Sequence, residues 1–516
     1  MPTFLMIFFV FLSKTFGLSV SNLIENDTNM YRKSKEELEY CRIPKNAKLD
    51  CWIGPGMLSR QGAFYRLLAA KSQNLFIYLA FVDFSYIEMA INLYHSFRRL
   101  NITNFLFVCS EVVTLQALKQ DGIDSFLYPH NIESIEPSDF GTEEFKKKIN
   151  IKQKIVTASV ILGFKTLITD VDIVFLKNPI LYLKNDADVT IQDDLQISKP
   201  LNSGFYLVRP TFAGVEMQRR TLQYLMTGTM LDQPALNMVI KEMVEARALN
   251  VSKLNSKRFP CGKEYFENGK RMFLGDFVDT DNNETYIVHN NWIYTKDAKI
   301  HRFKETGLWS IDTNEYYSKK SQKYIRYFNP INSKKLSSSE VKNIETNSLI
   351  TAMTLAKITK RIVILPKFHC YGCNNKACQR AIDHCSLNAL YHVETFNRNF
   401  SNTYREHLFL SHPKVPNSIK SSVSPVIHII KSSTKKNIDL LKANKTVIST
   451  RDAINISAAD IISWFDQGPL SKFHVLNFHS LHFNIKYNDP SWWNMFTNSF
   501  KFCSYRQNDR WVQELQ

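Results

Sequence analysis

After Leu12, no stretch of this sequence approaches the roughly 20 apolar residues that a membrane-crossing helix needs, so any hold on a bilayer falls to the N-terminus. The basic residues are also unclustered. The formal net charge is +17, yet nothing resembles a recognition helix or a zinc finger, which argues against nucleic acid as a partner. That charge favours acidic partners of other kinds, such as nucleotide diphosphates, anionic glycans or lipid headgroups. General disorder is excluded by composition, because 44% hydrophobic and 22% charged residues over 516 positions make an ordinary globular balance.

The N-terminus, MPTFLMIFFVFLSKTFGLSVS, lacks a basic start. It does have a short apolar core from Phe4 to Leu12, closed by Ser13-Lys14, with Gly17 and Ser19 spaced for cleavage. Residues 1–19 are expected to be a signal peptide, or a short uncleaved anchor with Lys14 reaching back to the surface. Either directs the chain into the secretory pathway, to the Golgi lumen or outside the cell. Sequons at Asn26, Asn101, Asn250, Asn283, Asn399, Asn444 and Asn455 agree with that route. Cysteine is sparse, at nine residues. Cys41 and Cys51 read as a local disulfide, and Cys370, Cys373, Cys378 and Cys385 as disulfides or a zinc site, with disulfides favoured by the compartment. Cys109, inside the apolar run FLFVCS, is the expected buried free thiol.

Against these absences stands LITDVDIVFLKNP, residues 167–179. Read as one apolar strand ending at Asn178-Pro179, it points Asp170 and Asp172 the same way, since side chains alternate faces along a strand. Neighbouring carboxylates repel and are costly to bury without a cation. The pair therefore predicts a metal site, with Mn2+ or Mg2+ as an oxygen-loving occupant that keeps positions open for phosphate oxygens. A lone Asp-x-Asp on a surface means nothing. The apolar strand before this one and Phe-Leu-Lys-Asn-Pro after it favour a site.

Residues 20–72 are polar and irregular and read as a stem. From Leu75 the pattern alternates: LFIYLAFVD as a strand, YIEMAINLYHSFRRL as a helix, FLFVCS as a strand, then a long helix over 143–164 that ends near Gly163. Such alternation implies a parallel sheet covered by helices, whose ligands bind beyond the carboxyl ends of the strands, where Asp170 and Asp172 fall. ADVTIQDD follows, ending in Asp193 and Asp194, and then the strand LNSGFYLVRP, in which Gly204 suggests close approach of backbone or ligand. LDQPALNMVIKEMVEA is helical, and Asp232 at its start has a bland reading as a cap. His289 stands at a strand end, a position that is ordinarily structural.

Together these segments resemble the nucleotide-diphospho-sugar transferase domain of glycosyltransferase family 77, with a GT-A fold. The resemblance is carried by Leu162-Gly163 before Thr169-Asp170-Val171-Asp172, by ADVTIQDD, by Asn202-Ser203-Gly204-Phe205-Tyr206 with Arg209, by Asp232-Gln233 with Asn237, and by His289-Asn290-Asn291-Trp292 with Lys299 and GLW at 307–309. It implies a transferase domain over 73–309 that moves a sugar from a nucleotide-diphosphate donor, such as a UDP-sugar, to a glycan or glycoprotein acceptor with retention. It also implies Asp170, Asp172 and His289 as metal ligands, with Asp170, Asn202, Gly204 and Lys299 at the donor. Asp193, Asp194, Asp232 and Gln233 would line the donor sugar as catalytic residues. Thr295 departs from the family, which often has Gly a few residues after the histidine.

Residues 310–345 are Lys/Ser-rich and read as a linker. Residues 346–516 read as a smaller, disulfide-containing α/β domain that shapes the acceptor side. Trp492, Trp493 and Trp511 are read either as sugar-stacking or as filling of a second core. Two rival functions use the same residues: a metal-dependent nucleotide-sugar phosphodiesterase or pyrophosphatase, and a glycan-binding protein that has lost catalysis.

Overall fold

The computed structural model describes residues 52–129, 143–183, 186–194, 200–228, 230–268, 285–293, 295–331, 335–369, 384–385, 387–431, 437–441, 445–450, 455–499, 505–507 and 510–512. The chain divides into one unit of Met1–Val171 with Asn178–Leu254 and another of Asp172–Lys177 with Asn255–Gln516.

In the first unit, α1 (Ala63–Lys71) is followed by β1 (Phe76–Val82), α2 (Ile87–Arg99), β2 (Phe105–Cys109), α3 (Val112–Gln120), β3 (Ser125–Leu127), α4 (Glu143–Ile161) and β4 (Lys165–Thr169). β5 (Ile173–Phe175) passes to the second unit, and β6 (Val189–Asp193), β7 (Leu201–Val208), α5 (Phe212–Met226), α6 (Asp232–Glu245) and β8 (Val251–Lys253) complete the first. Its seven strands run in the order β3-β2-β1-β4-β7-β6-β8. Pairing is parallel from β3 to β4 and between β6 and β8, and antiparallel on both sides of β7. The continuous apolar runs of β1 and β2 make central strands because helix and sheet bury them from both sides. α4 stops where Gly163 takes φ +99, a conformation that favours glycine.

The aspartate stretch is not one strand. β4 stops at Thr169, and Asp170 to Asp172 form a turn before β5, which pairs antiparallel with β9 (Ile287–His289). The backbone changes partners here: Asp170 N–H donates to Gly204 O at 2.8 Å, whereas Asp172 O accepts from Asn290 N–H at 2.9 Å. Strand alternation therefore does not orient the two carboxylates.

In the second unit, α7 (Lys296–Glu305) follows β9. A second seven-stranded sheet is built from β10 (Tyr324–Tyr327), β11 (Ile362–Ile364), β12 (Tyr404–Arg405), β13 (Val423–Lys431), β14 (Asn437–Leu441), β15 (Lys445–Thr450) and β16 (Val475–Phe478). The order is β12-β11-β10-β16-β13-β15-β14, with only β14 antiparallel to its neighbour. The stretch expected to be a linker thus holds an interior strand: Tyr324, Ile325 and Tyr327 are buried in β10 despite the Lys/Ser-rich flanks. Also within that stretch, Ser337 and Glu340 form a reciprocal capping box that starts α8 (Ser338–Ile358). Trp492 is buried in the core and donates to Thr354 Oγ1 at 3.1 Å, and the half-buried Trp493 packs against that core and donates to Tyr487 O at 2.9 Å. The side chain of Trp511 lies outside the described residues.

Cys109 is a buried free thiol as expected, and Cys261 is a second buried cysteine outside any disulfide, which sequence reasoning missed. Cys385 is buried and disulfide-bonded. Cys41, Cys51, Cys370, Cys373 and Cys378 lie outside the described residues, as does the N-terminal apolar segment. Among the described residues no helix is long and apolar enough to cross a membrane. The sequon residues Asn101, Asn250, Asn399 and Asn455 are exposed.

Candidate functional site

In the first unit the site grows from the end of β4. Asp170 leads out of the sheet beside β7, where Gly204 leaves it room: a Cβ at position 204 would stand 2.3 Å from Asp170 Oδ2. Asn202 Oδ1 accepts from Gly204 N–H at 2.7 Å and fixes the strand at that point. The expected close approach at Gly204 is thus an approach to a carboxylate.

Sequence reasoning missed Lys152. From α4 its ammonium reaches Asp170 Oδ1 at 3.2 Å and Asp232 Oδ2 at 2.9 Å. Burial opposes its charge, but the Asp170 and Asp232 carboxylates outweigh burial and hold the ammonium above its usual range. A signal was present. Lys148 and Lys152 fall at helical spacing with Ile151, Ile155 and Val156, on the face α4 buries. Lys148 pairs with Asp83 at 3.5 Å.

Asp232 is not a cap. The residue before α6 is Leu231, and the Asp232 carboxylate turns to Lys152 instead of the helix N–H groups. Gln233 donates to Asp194 Oδ2 at 3.2 Å and accepts from Ser203 N–H at 3.3 Å. Asn237 accepts from Leu201 N–H at 2.7 Å, which ties α6 to β7. Asp194 is buried, while Asp193 is half-buried at a register shift between β6 and β7.

In the second unit Asp172 is 5% exposed, and its carboxylate is met by His289 and Lys299. Lys299 Nζ lies 2.7 Å from Oδ2 and His289 Nε2 lies 3.4 Å from Oδ1. Burial would push the Asp172 carboxyl up, but the Lys299 and His289 charges outweigh it and hold the group below the usual range. Pairing of Ile173 with His289 across β5 and β9 sets this meeting. Asn290 Nδ2 donates to Lys299 O at 2.8 Å and fixes the first turn of α7. Thr295, which stands where the family often has glycine, takes φ +65, and its Oγ1 accepts from Ala298 N–H at 3.3 Å to cap α7. The backbone keeps the glycine-like turn, and Lys299 still reaches Asp172.

The buried Asp172 carboxylate and His289 imidazole, with the half-buried Asp170 carboxylate, are donor types that suit a hard or borderline divalent cation. Residues 100–303 match the nucleotide-diphospho-sugar transferase family model, so the resemblance seen in the motifs is shown from just after α2 into α7. The chain is 26% identical over 272 residues to beta-arabinofuranosyltransferase RAY1 of Arabidopsis thaliana, covering 48% of this chain and 50% of that protein. It is 26% identical over 233 residues to UDP-D-xylose:L-fucose alpha-1,3-D-xylosyltransferase 1 of the same plant, covering 40% of this chain and 62% of that one. The chain therefore spans 50% and 62% of the length of these relatives. The apo-form glycosyltransferase GlyE of Streptococcus pneumoniae TIGR4 overlaps with a TM-score of 0.32 at 16% identity, over 56% of this chain and 74% of that one.

Proposed function

We infer that the chain is a metal-dependent glycosyltransferase that moves a sugar from a nucleotide-diphosphate donor, a UDP-sugar by likeness to its relatives, to a glycan or glycoprotein acceptor. The observation that carries this reading is the buried Asp172 carboxylate facing His289 and Lys299, within the segment that matches the family. Asp170, Asp172 and His289 are assigned as ligands of Mn2+ or Mg2+. When bound, the ion would neutralise charge on the diphosphate leaving group. Lys299 adds a second positive charge for that diphosphate, and Asp170, Asn202 and Gly204 are assigned to the donor.

Asp193, Asp194, Asp232 and Gln233 are assigned to the donor sugar. Breaking the bond to the diphosphate leaves positive charge at the anomeric carbon, which nearby carboxylates stabilise. Lys152 keeps Asp232 from drifting by holding it in an ion pair, and Gln233 positions Asp194. Retention of configuration follows from the family resemblance. The exposed sequon residues support work in the secretory pathway, in the Golgi lumen or outside the cell.

The test is a panel of nucleotide sugars incubated with the full chain and Mn2+, first alone and then with glycan acceptors. Slow donor hydrolysis that an acceptor diverts into a glycoside of the donor's anomeric configuration supports the reading. Hydrolysis that no acceptor redirects would favour the phosphodiesterase, and failure to bind any donor would favour a glycan-binding protein without catalysis.

A further inference from the structure

The second sheet is parallel through its centre, and parallel sheets are ordinarily covered on both faces. One face is covered: Ile325, Tyr327, Leu476, Phe478 and Ile427 lie in the core. On the other, the strand register sets Arg326 beside Asn477 and Asn477 beside Val426. Two residues further along these chains stand Phe328, His479 and His428, which alternation keeps on the same side. Contacts agree with that placement, since the Arg326 guanidinium lies 4.9 Å from the Phe328 ring and the His428 and His479 rings stack at 4.6 Å. Among the described residues this end of the face is open. Phe328 is 45% exposed, His479 is exposed, and Arg326, Val426 and His428 are half-buried.

Arg326 is the group that most needs a partner. Its Nε donates to Asn477 Oδ1 at 3.2 Å, and among the described residues no carboxylate pairs with it. Burial lowers the guanidinium from its usual range, the mark of a cation desolvated without a counter-ion. An anionic ligand would relieve that cost and could take two parallel N–H bonds from the fork. A small inorganic anion would need only the guanidinium. The row of rings beside it fits a longer molecule with flat apolar faces and repeated negative charge, which a chain of net charge +17 attracts.

We propose that this open face binds an acidic oligosaccharide, with Arg326 pairing to a sugar carboxylate and Phe328 and the His428–His479 pair packing against sugar rings. The surface lies wholly in the second unit and does not depend on the donor site. The test measures binding of an oligogalacturonate to the full chain, with a neutral malto-oligosaccharide and inorganic polyphosphate as comparisons. The oligogalacturonate should bind, weaken with salt, and lose about tenfold or more in affinity on Arg326→Gln. Phe328→Ala, at an exposed position that leaves the fold intact, should cost about threefold to tenfold. Asp172→Asn and removal of Mn2+ should leave this binding unchanged. Equal binding of the neutral chain, tighter binding of polyphosphate, or loss through Asp172→Asn would overturn the proposal. If Arg326→Gln fails to unfold cooperatively, Phe328→Ala and His479→Ala decide the matter, and wild-type affinity in both would overturn it.

Discussion

The Asp172 side chain is 8% exposed and locked between Lys299 and His289 in the second unit, whereas the Asp170 side chain is 34% exposed and shares Lys152 with Asp232 in the first. One residue separates the two aspartates in the chain. A single Asp-Val-Asp motif thus supplies one charge that belongs to a protein interior and one that reaches water. The difference teaches that such a motif need not be a symmetric pair: the buried member depends on its protein partners, and the accessible one is available to a ligand.

The largest effect should come from removing the lysine at the buried member. Lys299→Met leaves a buried carboxylate with His289 alone and should cost about 3–5 kcal/mol in denaturant unfolding of chelator-treated protein. Lys152→Met should cost less, because one of its two carboxylates, Asp170, reaches water and only Asp232 is left buried, and an equal or larger loss there would break the comparison. Turnover should separate the pair next. Asp172→Ala should lower it by about a hundredfold to a thousandfold, measured as Mn2+-dependent donor cleavage, with a smaller loss for Asp170→Ala.

The units should also differ in acid. Burial lowers His407, in the second unit, from 6.5 to about 4. A histidine held neutral in the folded state gives stability that is complete above pH 6.5 and is lost as pH falls toward 4, because only the unfolded chain takes up the proton. The loss should reach at most about 3 kcal/mol across that window and should shrink in His407→Gln, as read by unfolding at a series of pH values. The smallest effect sharpens the description of Asp170. Gly204→Ala should cost about 1–3 kcal/mol or push the Asp170 carboxylate aside, since its Cβ would stand 2.3 Å from Oδ2. Unchanged stability together with unchanged donor affinity would show that this carboxylate is not confined by β7.

The first sheet was legible because its strands are continuous apolar runs and its helices keep their period, as in β1, β2 and α4. The motif residues were legible as types, through acids at strand ends. Their arrangement was not, since the exchange of partners from Gly204 to Asn290 across Asp170 and Asp172 is a long-range event that strand alternation cannot report. Lys152 escaped because a lysine among charged neighbours reads as solvated until helical spacing places it on the buried face. β10 escaped for a related reason: a strand of only four residues between Lys/Ser-rich flanks gives no periodic signal, although it is interior to the second sheet. The bland reading of Asp232 failed because the pull of a buried ammonium exceeds that of a helix N-terminus.

The measurement that bears most directly on the account is calorimetric titration of nucleotide sugar into the full chain and into Asp172→Asn, each with Mn2+ and with chelator. The account predicts that chelation weakens donor binding to the wild type by about tenfold or more, while Asp172→Asn binds weakly and equally in both conditions. Donor affinity in the wild type that is the same with and without Mn2+ would contradict it.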